Sequence, residues 1–297
     1  MSIFELAAAC AAMTWAFSAV IAAGPSSQFG AIAFNRLRMG IVLVMLVIIV
    51  AITGGWRTLR PEFLGPLAPS GFIGIFLGDT CLFLTMNRMG PRRSNILFST
   101  NAPMSAVLGW LFLGEAIVPQ KIAGIAIVFA GVILAIVFGK RRSQLDIWET
   151  VKGSLPAGIA LGLGAALCQS VGSLIARPVM ASGVDPASAS ALRVAVAVVC
   201  LSLLMATGIR QVQARARPTA RMVAVIGISG IAAMGIGMTL VLFALSGGKV
   251  GIVATLSATT PAWILPLIWI RTGERPAAFA WAGAALVIAG SSLIFAA

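Results

Sequence analysis

The chain has 297 residues, of which 60% are hydrophobic and 10% charged, and its mean hydropathy is +1.04. A water-soluble globule is closer to half apolar with about a quarter of its residues charged, so this is an integral membrane protein. Its net charge of +13 lies in short basic clusters between apolar runs, where topology and anionic headgroups account for it and nucleic acid is excluded as a partner. There is no histidine and no tyrosine, which removes a histidine base, a Ser-His-Asp triad and a histidine proton relay.

A hydrocarbon core takes about 20 helical residues to cross, and the first such run is 3–23. It carries Glu5 and has no basic stretch before it, so it reads as a span and not as a cleaved leader. Within it Thr14 and Ser18 are four apart and share a helix face, with Trp15 beside them. The second run, 29–53, holds Arg36 and Arg38. The third, 63–86, contains Asp79-Thr80 well inside apolar sequence, and Arg88, Arg92 and Arg93 cluster between it and the fourth span. The fourth, 94–114, pairs Asn95 with Ser99 on one face, reaches Pro103 one turn later and ends at Gly114-Glu115. The fifth, 120–138, carries Gly124 and Gly131, seven apart and so on one face two turns apart.

A charged stretch, 140–153, follows and reads as a linker between a first repeat, 1–139, and a second, 154–297. The sixth run, 154–176, sets Gln169 and Ser173 on one face; the seventh, 187–208, holds Arg193. After it come Arg210, Arg215, Arg217 and Arg221, then the eighth run, 220–245. The ninth, 250–270, carries Thr255 and Thr259 on one face with Pro261 close by, and is followed by Gly273-Glu274. The tenth, 277–296, carries Gly283 and Gly290. These small-residue stripes, with an alanine before each glycine, suit close helix approach, so the fifth and tenth spans read as packing helices.

The two halves repeat one another. Gly90 and Pro103 recur as Gly248 and Pro261 at an offset of 158, and Gly114-Glu115, Ala123-Gly124 and Ala130-Gly131 recur as Gly273-Glu274, Ala282-Gly283 and Ala289-Gly290 at 159. Arg36 and Arg193 stand early in the second span of each copy. Five spans is an odd number, so the second copy must enter from the opposite side. The fold class expected is all-α, ten transmembrane helices as two inverted five-helix repeats, a plan that places solute sites near the midplane between the halves.

On this series the chain resembles the drug/metabolite transporter superfamily, and within it the ten-helix EamA-type transporters. The resemblance implies a multi-pass protein of the bacterial inner membrane that moves small metabolites, often outward, through a cavity between halves, working as a monomer or homodimer among membrane lipids. It does not fix the substrate. Charge and resemblance disagree on orientation: thirteen of the 21 basic residues fall on the linker side, which puts that side in the cytoplasm and both termini outside, whereas ten-helix relatives imply termini inside.

The candidate substrate-binding or coupling residues are Asp79, Thr80, Arg36, Arg193, Thr14, Trp15, Ser18, Asn95, Ser99, Gln169, Ser173, Thr255 and Thr259, because polar groups inside a bilayer are costly and face the bundle interior. At an offset of 158 Asp79 meets Gly237, so it lies outside the shared scaffold. It is either a cation- or proton-responsive carboxylate or ligand for an amine, or a neutral acid bonded to Thr80 or a neighbouring helix. Arg36 and Arg193 pair with a carboxylate, cap carbonyls or contact an anionic group, unless they snorkel to the interface. Ser and Thr also join helices.

The four cysteines, Cys10, Cys81, Cys168 and Cys200, stand singly as packing residues, and neither a metal ligand set nor a cofactor is expected. With no phosphate loop in the sequence, uphill movement needs an ion gradient, a counter-solute or a partner ATPase. The reading favoured is a secondary transporter exporting amino acids or similar zwitterionic or hydrophobic solutes, driven by protons. Drug efflux or a lipid-linked flippase is the alternative, and a membrane-embedded enzyme is disfavoured by only eight acidic residues.

Overall fold

The computed structural model describes residues 2–114, 118–138, 151–247, 256–257 and 259–296, and all regular structure among them is helical. The helices are α1 (Ile3–Phe29), α2 (Ala31–Thr53), α3 (Leu64–Gly71), α4 (Gly78–Phe98), α5 (Asn101–Leu113), α6 (Pro119–Val137), α7 (Leu155–Ala181), α8 (Pro186–Ala206), α9 (Ala220–Gly230), α10 (Met238–Gly247), α11 (Thr260–Thr272) and α12 (Ala278–Ala296). Among the described residues seven stretches are long and apolar enough to cross a membrane, which makes this a multi-pass integral membrane protein. Glu5 completes a capping box with Ser2 at the start of α1, so its charge sits at the positive end of the helix dipole.

Two interruptions recur in both halves. Residues Phe72–Leu77, between α3 and α4, and Ile231–Gly237, between α9 and α10, wind as π-helix and leave the chain continuous. The fourth span of each copy breaks just ahead of its proline: α5 starts two residues before Pro103 and α11 one before Pro261, as a missing proline N–H dictates. Between third and fourth spans the chain reverses at Gly90, whose φ of 82° and ψ of 166° lie outside helical space and suit glycine alone.

Two pairs of equivalent helices, α2 with α8 and α6 with α12, pack start to end. Arg36, near the start of α2, donates to Ser202, near the end of α8. The glycine stripes of α6 and α12 meet face to face: a Cβ on Gly124 would lie 2.7 Å from the Gly290 carbonyl oxygen, and one on Gly131 would lie 2.7 Å from that of Gly283. The expectation that these are packing helices is met, and the stripes are consumed within one chain.

Loop contacts keep the same order. Taken as a chain that alternates ends helix by helix, Phe29, Arg88, Lys152 and Arg215 fall at one end and Thr58, Gln120, Asp185 and Leu293 at the other. Arg215 N donates to Phe29 O and Lys152 N to Arg88 O; Asp185 N donates to Thr58 Oγ1 and Gln120 Nε2 to Leu293 O. Arg92 and Arg93, counted in sequence as loop cations, are 2% and 6% exposed, and Arg92 Nη1 donates to the Ala135 carbonyl in the last turn of α6, where the helix dipole is negative. The two halves interleave, with α1 on α9 and α10, α7 on α3 and α4, and α2 on α8.

Candidate functional site

The site is built where α2, α8 and the π-helical stretch before α4 converge. On α2 the buried side is Asn35, Arg38, Met39, Val42 and Leu46; on α8 it is Ser190, Arg193, Val194, Ala197 and Leu201, the same series shifted by 155 residues. The partner of Arg193 is therefore Arg38 and not Arg36. Arg36 is exposed and bonds Ser202, because two residues along a helix turn a side chain by about 200°. Arg38 and Arg193 even pack alike: a Cβ on Gly230 of α9 would lie 3.2 Å from the Arg38 carbonyl oxygen, and one on Gly71 of α3 would lie 2.6 Å from that of Arg193.

The same register revises the match to Asp79. Ser70-Gly71 recurs as Ser229-Gly230, and Gly78-Asp79-Thr80 as Gly237-Met238-Thr239, both at 159, so Asp79 faces Met238 across the repeat and not Gly237. The acid remains unique to copy one. Its carboxylate is 5% exposed by residue and takes an ion pair from Arg38 Nη1 at 3.2 Å, so its partner is a neighbouring helix and not Thr80. The guanidinium of Arg38 also stands over the Phe83 ring, 5.1 Å from its centroid, a favourable cation–π contact.

Arg193 enters from the other half. It is 5% exposed and near enough to interact electrostatically with Asp79, while Asp79 makes its ion pair with Arg38. Its Nη2 would lie 3.2 Å from a Cβ on Gly74, inside the π-helical stretch, where α7 also crosses closely through Gly172. Nε and Nη2 of Arg193 have no hydrogen-bond partner among the described residues, nor has Thr80 Oγ1, Asn35 in its amide, or Ser190 Oγ. A buried polar group is normally bonded, and π-helical turns gather at functional sites. What converges here is two arginines, one from each repeat, on one carboxylate.

Residues 2–137 and 156–296 match the EamA-like transporter family, once in each half. The chain belongs to this family. No curated protein matched the sequence. Among solved structures, one described only as "Crystal structure of protein" superposes with a TM-score of 0.73 over 98% of this chain and 95% of its own, at 16% identity, a likeness of fold alone.

The remaining candidates of this EamA-like chain sit elsewhere. Trp15 Nε1 donates to the Ala233 carbonyl in the second π-helical stretch at 2.9 Å, Ser18 Oγ to Ser229 O at 2.8 Å, and both Thr14 and Trp15 press on Gly237. Those three join α1 to the opposite repeat. Asn95, Ser99 and Thr259 return hydrogen bonds to carbonyls three or four residues back in their own helices, and Thr14 does the same to Ala11. Gln169 is half-buried and Ser173 exposed; Thr255 lies outside the described residues. Arg38 is the residue that sequence reasoning passed over. Its signal was the shared 155-residue spacing of Asn35-x-x-Arg38 and Ser190-x-x-Arg193, hidden by anchoring the match on Arg36.

Proposed function

We propose that this EamA-like protein is a secondary transporter with ten spans, two inverted five-helix repeats (1–139 and 154–297) joined at 140–153, that exports amino acids or similar small solutes across a bacterial inner membrane. The observation that carries the reading is the buried Arg38–Asp79 pair approached by Arg193 from the opposite repeat. Charge inside a bilayer marks a solute or ion pathway by default, and a cluster shared by both repeats is sensitive to any movement of one against the other. Asp79 is the coupling group, with the proton as driving ion. The linker side is cytoplasmic, following the basic excess there.

The test is a panel of amino acids and related solutes in proteoliposomes, with and without an imposed pH gradient. At least one solute is expected to move faster with the gradient, and Asp79→Asn is expected to remove the acceleration. Gradient-independent flux throughout would end the proton-coupled reading. A second reading, a lipid-linked flippase, draws on an apolar cavity of about 160 Å³ on the flank, lined by Pro103, Met104, Val107, Leu108, Phe129 and Leu167 among others. Translocation of a fluorescent lipid in the same vesicles, with no amino-acid flux, would favour it.

A further inference from the structure

The cluster at the centre of the molecule is not electrically balanced. Asp79 is matched by Arg38 at 3.2 Å, which leaves the charge of Arg193 over. A guanidinium left outside an ion pair at 5% exposure is expensive, and Nε and Nη2, without a partner among the described residues, add the cost of unmade hydrogen bonds. Sequences keep such a group where something else completes it. Among the described residues of α2, α3, α4, α7, α8, α9 and α10, Asp79 is the one acidic side chain.

The repeats close tightly at the same point: a Cβ on Gly74 would lie 3.2 Å from Arg193 Nη2 and 3.3 Å from Gly172 Cα of α7, so the guanidinium sits at a glycine-lined seam that opens when the repeats separate. Thr80 Oγ1, one residue from Asp79, is a further donor without a partner among the described residues. A planar fork of N–H donors matches the oxygens of a carboxylate or a phosphate in charge and shape, and the single charge of a carboxylate is the one that balances the cluster.

We propose that Arg193 is the anchor for a carboxylate on the transported solute, so that the substrates are singly charged organic acids and amino acids held by their carboxylate, and organic cations are excluded. One such group brings the two arginines and Asp79 to neutrality. The proposal rests on the transporter reading for its consequence, although the binding itself does not need flux.

The experiment is thermal unfolding of the purified full-length protein with acids and their isosteric amides: acetate and acetamide, benzoate and benzamide, phenylalanine and phenylalaninamide, with benzylamine as the cation. Ligands that bind the folded state raise Tm with concentration. At least one acid is expected to raise Tm while its amide and benzylamine do not. Arg193→Gln is expected to weaken that acid about tenfold or more, the scale of a charge-assisted hydrogen bond, and Arg193→Lys to restore part of it.

Equal shifts from every acid and its amide, or no shift from any acid, overturn the proposal on wild-type protein alone, whatever the variants do. An acid preference that survives Arg193→Gln overturns the assignment to this residue. Acid-selective binding without flux of any solute would retain the anion site and remove the transporter reading; flux with acids and amides alike would do the reverse.

Discussion

The third span of copy one and that of copy two share nearly everything except charge. Both pass through a π-helical stretch, both lay a Ser-Gly pair against the opposite repeat, and both continue as Gly-x-Thr, but x is Asp79 in the first and Met238 in the second. Their partners differ accordingly. In copy two the π-helical carbonyl of Ala233 is met by the Trp15 indole, a neutral donor; in copy one Gly74, at the matching place, is met by the Arg193 guanidinium. The lesson is that packing obeys the repeat while polarity breaks it.

The sharpest way to break the comparison is to make copy one resemble copy two. Asp79→Asn strands Arg38 in a buried site, and removing one member of a buried pair costs about 3–5 kcal/mol. Lower thermal stability and loss of gradient-driven flux are expected together. Adding Arg38→Gln should recover more than half of the stability and none of the coupling. Full additivity of the two changes in a double-mutant cycle would show that the pair does not act as one.

The shared scaffold answers to a different change. Gly131→Leu and Gly290→Leu put a side chain where a Cβ alone would lie 2.7 Å and 2.6 Å, respectively, from the facing helix. Overpacking of this kind costs about 1–3 kcal/mol or more, so both variants should give less folded protein and a lower melting temperature. Because the stripes face each other across equivalent helices, the two losses should be alike. Normal yield from both would mean that this crossing carries no weight.

Smaller again is the join of α1 to the second repeat. Trp15→Phe removes the donor to Ala233 and keeps the ring, and a buried hydrogen bond nets about 0.5–1.5 kcal/mol. Ser99→Ala, whose hydroxyl returns only to its own helix, should cost less than Trp15→Phe in the same melting experiment. A larger loss from Ser99→Ala would point to a role beyond that local bond.

The smallest effect sharpens the pairing of the arginines. Arg36→Gln should leave stability within about 0.5 kcal/mol of wild type, as exposed substitutions do, whereas Arg38→Gln and Arg193→Gln should alter solute affinity from the two membrane faces unequally. Side-specific affinity in oriented proteoliposomes measures this. Loss of transport in Arg36→Gln alone would restore Arg36 to the site.

Much was legible without coordinates. Hydropathy marked the membrane segments because a spanning backbone must bond within itself, and Gly-Glu, Ala-Gly and proline recurred because helix ends, crossings and breaks need particular backbones. Asp79 stood out because an acid in an apolar run has a cost whatever surrounds it. The rotational register of α2 was not legible. In a water-soluble helix the polar face tells which side is out, but here both faces are apolar, so hydropathy did not say that Arg38 turns inward and Arg36 outward, and the 155-residue register of the repeat was the one clue. Only the neighbouring helices decide that, since Gly230 and Asp79 lie against one face of α2 and Ser202 against another.

The sequence by itself determined that this chain is a multi-pass helical protein of two repeats with one acid out of place, because composition and spacing are local quantities. Tertiary structure decided that Arg38 pairs with that acid and that Arg193 of the other repeat is buried within its field with no ion pair among the described residues, because burial and pairing depend on surfaces that only folding brings together.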